Sequence, residues 1–154
     1  MGLDMHLHAE KFFSGFEITR DEEFSKILAA INVNEADSEK SLTVSIEVGY
    51  WRKANCIHKW FVDNVQEGED DCGDYEVSND KLKELLDLID QVLANKKKAH
   101  KLLPNQSGFF FGSQDYDEYY FQDLEYTKKL IEGVLASDLG KKGWYLEYTS
   151  SWWE

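Results

Sequence analysis

The chain has 154 residues, 42% hydrophobic and 14% aromatic, enough for one domain that buries about two-thirds of the surface its unfolded form exposes. One proline and ten glycines exclude a low-complexity or disordered protein. With 30 acidic against 17 basic residues the formal net charge is −13, so nucleic acid and anionic membranes would repel the chain before contact, and its natural partners are cationic surfaces.

In chain order, Leu3, Met5 and Leu7 alternate with Asp4 and His6, the period of a half-buried strand. Thr19 and Glu22 form a T-x-x-E capping box ahead of Phe24, Ile27, Leu28 and Ile31, which repeat along one helix face. After a polar loop over 32–40, Leu42, Val44, Ile46 and Val48 alternate with Thr43, Ser45 and Glu47 in the clearest strand of the sequence. Gly49 ends it, and a helix is predicted over 51–65 with Ala54, Ile57, Phe61 and Val65 on its apolar side.

Residues 66–76, glycine- and carboxylate-rich, read as an exposed loop. Ser78 or Asn79 caps a helix whose stripe runs Leu82, Leu85, Leu86, Ile89, Val92 and Leu93, with Lys96 to Lys98 placed to meet the negative end of its dipole. Phe109 to Phe111, bracketed by glycines, read as a short buried strand. Acidic residues from Asp115 to Glu118 open a helix carrying Tyr120, Leu124, Thr127, Ile131 and Val134 that Gly140 stops. Trp144, Leu146 and Tyr148 form a last strand. The order β-α-β-α-α-β-α-β predicts a single α+β domain over 1–154, a mixed or antiparallel sheet of about four strands covered by about four helices.

Cys56 and Cys72 are too far apart for a CxxC motif and read as free thiols. MGLDMHLHAEKFF lacks the basic segment and unbroken apolar run of a secretory leader, and no apolar run approaches a membrane span, so a cytoplasmic protein with no membrane partner is expected. No phosphate-binding glycine loop, dinucleotide fingerprint, nucleophile elbow or H-E-x-x-H occurs, and no catalytic residue is assigned.

Three constellations bear on function. His6 and His8 face the same side of the first strand and Glu47 would join them from the second, but nothing in the sequence fixes the pairing register, so no metal or cofactor is assigned. Arg52, Asn55 and His58, with Cys72, are candidates to line a pocket for a small anionic or nucleotide-like ligand, in a binder or small enzyme. Residues 67–90 carry ten carboxylates against Lys81 and Lys83. Within them Glu67, Glu69, Asp70, Asp71, Asp74 and Glu76 form one candidate partner-binding cluster, and Asp115, Asp117 and Glu118 with Tyr116 and Tyr119 form another. If both lie on one face, their carboxylates would stand in for nucleic-acid phosphates on a basic groove. Exposed Trp144, Trp152 and Trp153 would instead favour an oligomer contact.

The segments MGLDM, EVGYWRKANCIHKWFVDNV, DDCGDYEVS and FFFGSQDYDEYYFQDL, spread over most of the chain, resemble a group of small uncharacterised phage and prophage proteins. The resemblance implies a phage setting, in which small acidic proteins often inhibit host defence nucleases. The expected function is therefore a phage-encoded acidic inhibitor of anti-CRISPR or anti-restriction type, acting in the host cytoplasm on a basic, nucleic-acid-binding defence protein and not on nucleic acid itself.

Overall fold

The structure, a computed structural model, describes residues 2–15, 22–33 and 40–153. Its elements are β1 (Gly2–Phe13), α1 (Glu22–Ala30), β2 (Leu42–Arg52), α2 (Asn55–Asn64), β3 (Asp74–Val77), α3 (Asn79–Ala94), α4 (Ala99–Leu102), α5 (Glu118–Ala136) and β4 (Trp144–Trp153), with a 3-10 turn over Lys96–Lys98. The strands form one antiparallel sheet in the order β2-β1-β4-β3, confirming the α+β class. The Thr19 end of the expected capping box lies outside the described residues.

Alternation decides which face of the sheet is covered. Leu3, Met5, Leu7 and Ala9 of β1 are fully buried with Leu146 and Tyr148 of β4 and Val77 of β3, against Ile57 and Phe61 of α2, Leu82, Leu85 and Ile89 of α3, and Leu124 and Ile131 of α5. Further along the same face, Phe13 packs with Phe24 and Leu28 of α1 in a smaller cluster. Gly49 permits the approach of α5, since a Cβ there would collide with the Leu130 side chain. Trp51 ties the same helix down through its Nε1–H to Thr127 Oγ1 at 2.8 Å.

Three local expectations are corrected. β2 continues through Arg52, and α2, short and buried on most of its circumference, follows after a left-handed Lys53 at φ 57°. The third strand is Asp74–Val77, overlapping the end of the stretch 66–76 read as a loop; Tyr75 and Val77 alternate inward and the carboxylates of Asp74 and Glu76 take the outward positions. Phe109 to Phe111 make a turn instead. Phe109 is 93% exposed, the Phe110 carbonyl accepts from Leu3 N–H, and Phe111 plugs the core edge-on to His58 and Trp152. Helix α3 ends at Ala94, and Lys96 sits over the Phe121 ring, 4.6 Å from its centroid.

Candidate functional site

The outward face of the sheet is the one that, among the described residues, no helix covers. Pairing builds it in rows across the strands: Arg52, Asp4 and Ser151; then Tyr50, His6, Thr149 and Asp74; then Glu47, His8, Glu147 and Glu76; then Ser45, Glu10 and Tyr145. The third row sets Glu147 directly opposite Glu76, a like-charge pair that costs stability on a sheet. Burial, reinforced by Asp74 and Glu10 and opposed by His8, raises the pKa of the Glu147 carboxyl. Tyr50 and Tyr145 stand among these carboxylates, the Tyr50 hydroxyl donating to Asp4 and the Tyr145 hydroxyl to Glu10.

A β-bulge sets the middle of this face. The register shifts between Leu7 and His8, so that His6 pairs with Tyr50 while His8 pairs with Glu47. With the register of the first segment continued, Val48 would oppose His8 and Glu47 would fall opposite Ala9. The extra residue instead brings Glu47 Oε2 to 3.6 Å from His6 Nδ1 and 3.8 Å from His8 Nε2. The two imidazoles stack at 5.8 Å and 12°, and the Tyr50 ring centroid lies 5.1 Å from that of His6.

The first acidic cluster divides into three. Asp74 and Glu76 join the open face through β3. Glu67, Glu69 and Asp71 surround Tyr75; the Gly73 N–H, and then the Tyr75 hydroxyl, donate to Asp71 and hold its carboxyl below its usual range. Asp70 turns inward, accepting from His58 Nε2 at 3.1 Å and from Trp152 Nε1 at 3.0 Å. Trp144 and Trp152 are both partly buried against the core, and the side chain of Trp153 lies outside those described.

The second cluster sits on the helical layer. Asp117 caps α5 by accepting from Tyr120 N–H, Tyr116 packs edge-on to Tyr120, and Tyr119 is 75% exposed. Asp74 and Glu76 face the opposite side of the sheet from α5, so the two clusters do not share one face.

A cavity of about 270 Å³ lies between the end of β2 and the start of α5, lined by Arg52, Lys53, Asn55, Asp115, Asp117 and Asp123 among others. It takes in Arg52 and Asn55 but neither His58 nor Cys72, so the expected four-residue pocket is not formed. Asn55 spends its whole amide on the loop around it, and His58 is fully buried between Tyr148 and Asp70. Cys72, half-buried at φ 59°, and the buried Cys56 both have thiol pKa values raised by burial, which removes them as nucleophiles at neutral pH.

The cavity contains one residue with a consequence for stability. Burial, and then Asp117, push the Asp123 carboxyl up to about 6. The folded state therefore holds a proton that the unfolded chain has released, and stability falls as pH rises between about 4 and 6. Asp123→Asn is expected to raise the unfolding free energy by about 1 kcal/mol at pH 7.5, after discounting for solvent screening, and to gain little at pH 4. Urea titrations at the two pH values measure this; equal effects at both would show that the carboxyl is not held protonated.

No helix of the described residues is long and apolar enough to cross a membrane. No family model, curated protein or solved structure matches the chain.

Proposed function

We propose that the protein is a non-enzymatic docking module whose open, acidic sheet face binds a basic protein surface. In the phage setting implied by the resemblance, the partner is a host nucleic-acid-binding defence effector whose phosphate-binding groove the carboxylates occupy. The observation that carries the reading is the row Glu47, His8, Glu147 and Glu76, three carboxylates in one line across the sheet. Like charges set opposite one another work against the fold, and a cationic partner offsets that repulsion. Tyr50 and Tyr145, 41% and 36% exposed beside these carboxylates, supply the aromatic area that interfaces favour.

The docking role falls to this one face of the sheet and not to the two acidic clusters together. Asp74 and Glu76 keep their place in it, whereas Asp115, Asp117 and Glu118 belong to a separate acidic surface. The test is capture of partners by tagged protein from phage-infected host lysate, with the captured protein then purified and its affinity measured. A basic nucleic-acid-binding protein released by salt is expected, and Glu76→Lys with Glu147→Lys should weaken it by about tenfold or more. Asp115→Lys with Glu118→Lys should change it little. Loss with the second pair alone would move the site to the helical layer, and a partner without basic character would overturn the reading.

A further inference from the structure

We propose that His6, His8 and Glu47 form a binding site for a divalent first-row transition metal, Zn²⁺ foremost. The inference goes beyond the docking reading: an ion can bind this face whether or not a protein docks on it. Three observations converge. First, all three donor atoms lie within 4.8 Å of one another. In a tetrahedral zinc site with bonds of about 2.0–2.1 Å, ligand atoms lie about 3.4 Å apart. The two carboxylate–imidazole separations, 3.6 and 3.8 Å, are already within a few tenths of an ångström of that spacing. Rotation of the partly exposed histidine side chains closes the remainder.

Second, His6 Nδ1 is shielded from solvent yet makes no hydrogen bond. A dry, unpaired ring nitrogen carries a desolvation cost, and it points toward the same carboxylate oxygen that His8 approaches. A divalent cation at this point would take both ring nitrogens and the carboxylate oxygen as ligands at once. Third, the bulge between Leu7 and His8 aims Glu47 at the pair, and bulges concentrate where a side chain must be re-aimed.

Two imidazoles and one carboxylate suit zinc, iron, cobalt and nickel better than magnesium or calcium, which prefer oxygen alone. Three protein ligands leave at least one coordination position for water or for a partner's side chain. The Tyr50 ring packs beside His6, and its hydroxyl donates to Asp4.

The experiment uses the full chain, stripped with EDTA and dialysed into metal-free buffer at pH 7.5. It is titrated with ZnCl₂ in a calorimeter and, separately, with CoCl₂ while the visible spectrum is recorded. One equivalent of Zn²⁺ is expected with Kd at or below about 10 µM, and Co²⁺ should give ligand-field bands of a low-coordinate N/O site. His6→Ala, His8→Ala and Glu47→Gln should each weaken uptake by about tenfold or more, while His100→Ala, exposed and remote in the fold, should not change it. Circular dichroism of each variant separates ligand loss from unfolding. Absence of saturable uptake up to about 100 µM, or uptake that survives the His6→Ala/His8→Ala pair, overturns the site.

Discussion

Asn55→Ala is expected to lower the unfolding free energy by about 3 kcal/mol, although it removes a side chain of modest size and no charge. The Asn55 amide nitrogen donates to the carbonyls of Phe111 and Ser113 at 3.0 and 2.8 Å, and its oxygen accepts from Gln106 N–H at 3.0 Å. Between Leu103 and Glu118 the backbone has no helix or strand to satisfy it, so one buried amide replaces a ladder. Alanine leaves three polar backbone groups without a partner and loosens the segment that carries Phe111 into the core. Asn55→Asp should be no better, because a carboxylate set against two carbonyl oxygens repels both. Urea denaturation measures the loss, and hydrogen exchange at Leu3, whose N–H donates to the Phe110 carbonyl, reports whether the loop has opened. A cost below about 1 kcal/mol with Leu3 still protected would mean that Phe111 alone holds the segment.

That dependence shows where the sequence is legible and where it is not. Periodicity carries the regular elements: the strands around Leu3 and Val44, the stripe of α3 and the acidic start of α5 appear where the residues indicate, and of the two candidate caps for α3 it is Ser78 that serves. β3 was obscured because its outward positions are carboxylates, so four residues of strand merge into the acidic loop before them. Phe109 to Phe111 mislead in the opposite direction. Three aromatics in a row resemble a strand, but Asn55, fifty-odd positions earlier, takes the backbone groups that a neighbouring strand would take. No local pattern announces such a long-range partner.

The candidate face is intermediate between these cases. The chemistry of His6, His8 and Glu47 is visible in the chain, since two imidazoles two residues apart on a strand must share a face. Their convergence is not, because it depends on one extra residue in β2 that alternation cannot locate. The same residue explains why Leu42 and Val44 face one core cluster while Trp51, of opposite parity, faces the other.

His58 gives the second large effect, and its sign follows from its partners. Fully buried, it receives the Tyr148 hydroxyl at Nδ1 over 2.7 Å and presents Nε2–H to Asp70 over 3.1 Å, a neutral tautomer fixed at both ends. Burial lowers the His58 pKa, with Asp70 acting against it. Because its folded pKa lies below that of the unfolded chain, the unfolded state takes up the proton first. The stability it contributes is complete above about 6.5 and is lost as pH falls below that value toward the folded pKa. Asp123 and Glu147, both raised, gain stability in the acid direction, so the His58 contribution must be read as a difference between wild type and variant.

His58→Phe keeps a ring between Phe111 and Tyr148 but strands the Tyr148 hydroxyl and frees one oxygen contact of Asp70, which retains Trp152. It is expected to cost about 2–3 kcal/mol at pH 7.5 and Tyr148→Phe about 1–2 kcal/mol. The double variant should cost less than the sum by about 1 kcal/mol, since removing both partners leaves no orphan between them. Between pH 7.5 and 5, wild type should lose more stability than His58→Phe. Additive costs with identical pH slopes would mean that the bond to Tyr148 does not hold the imidazole neutral, and that ring packing against Phe111 is all the position requires.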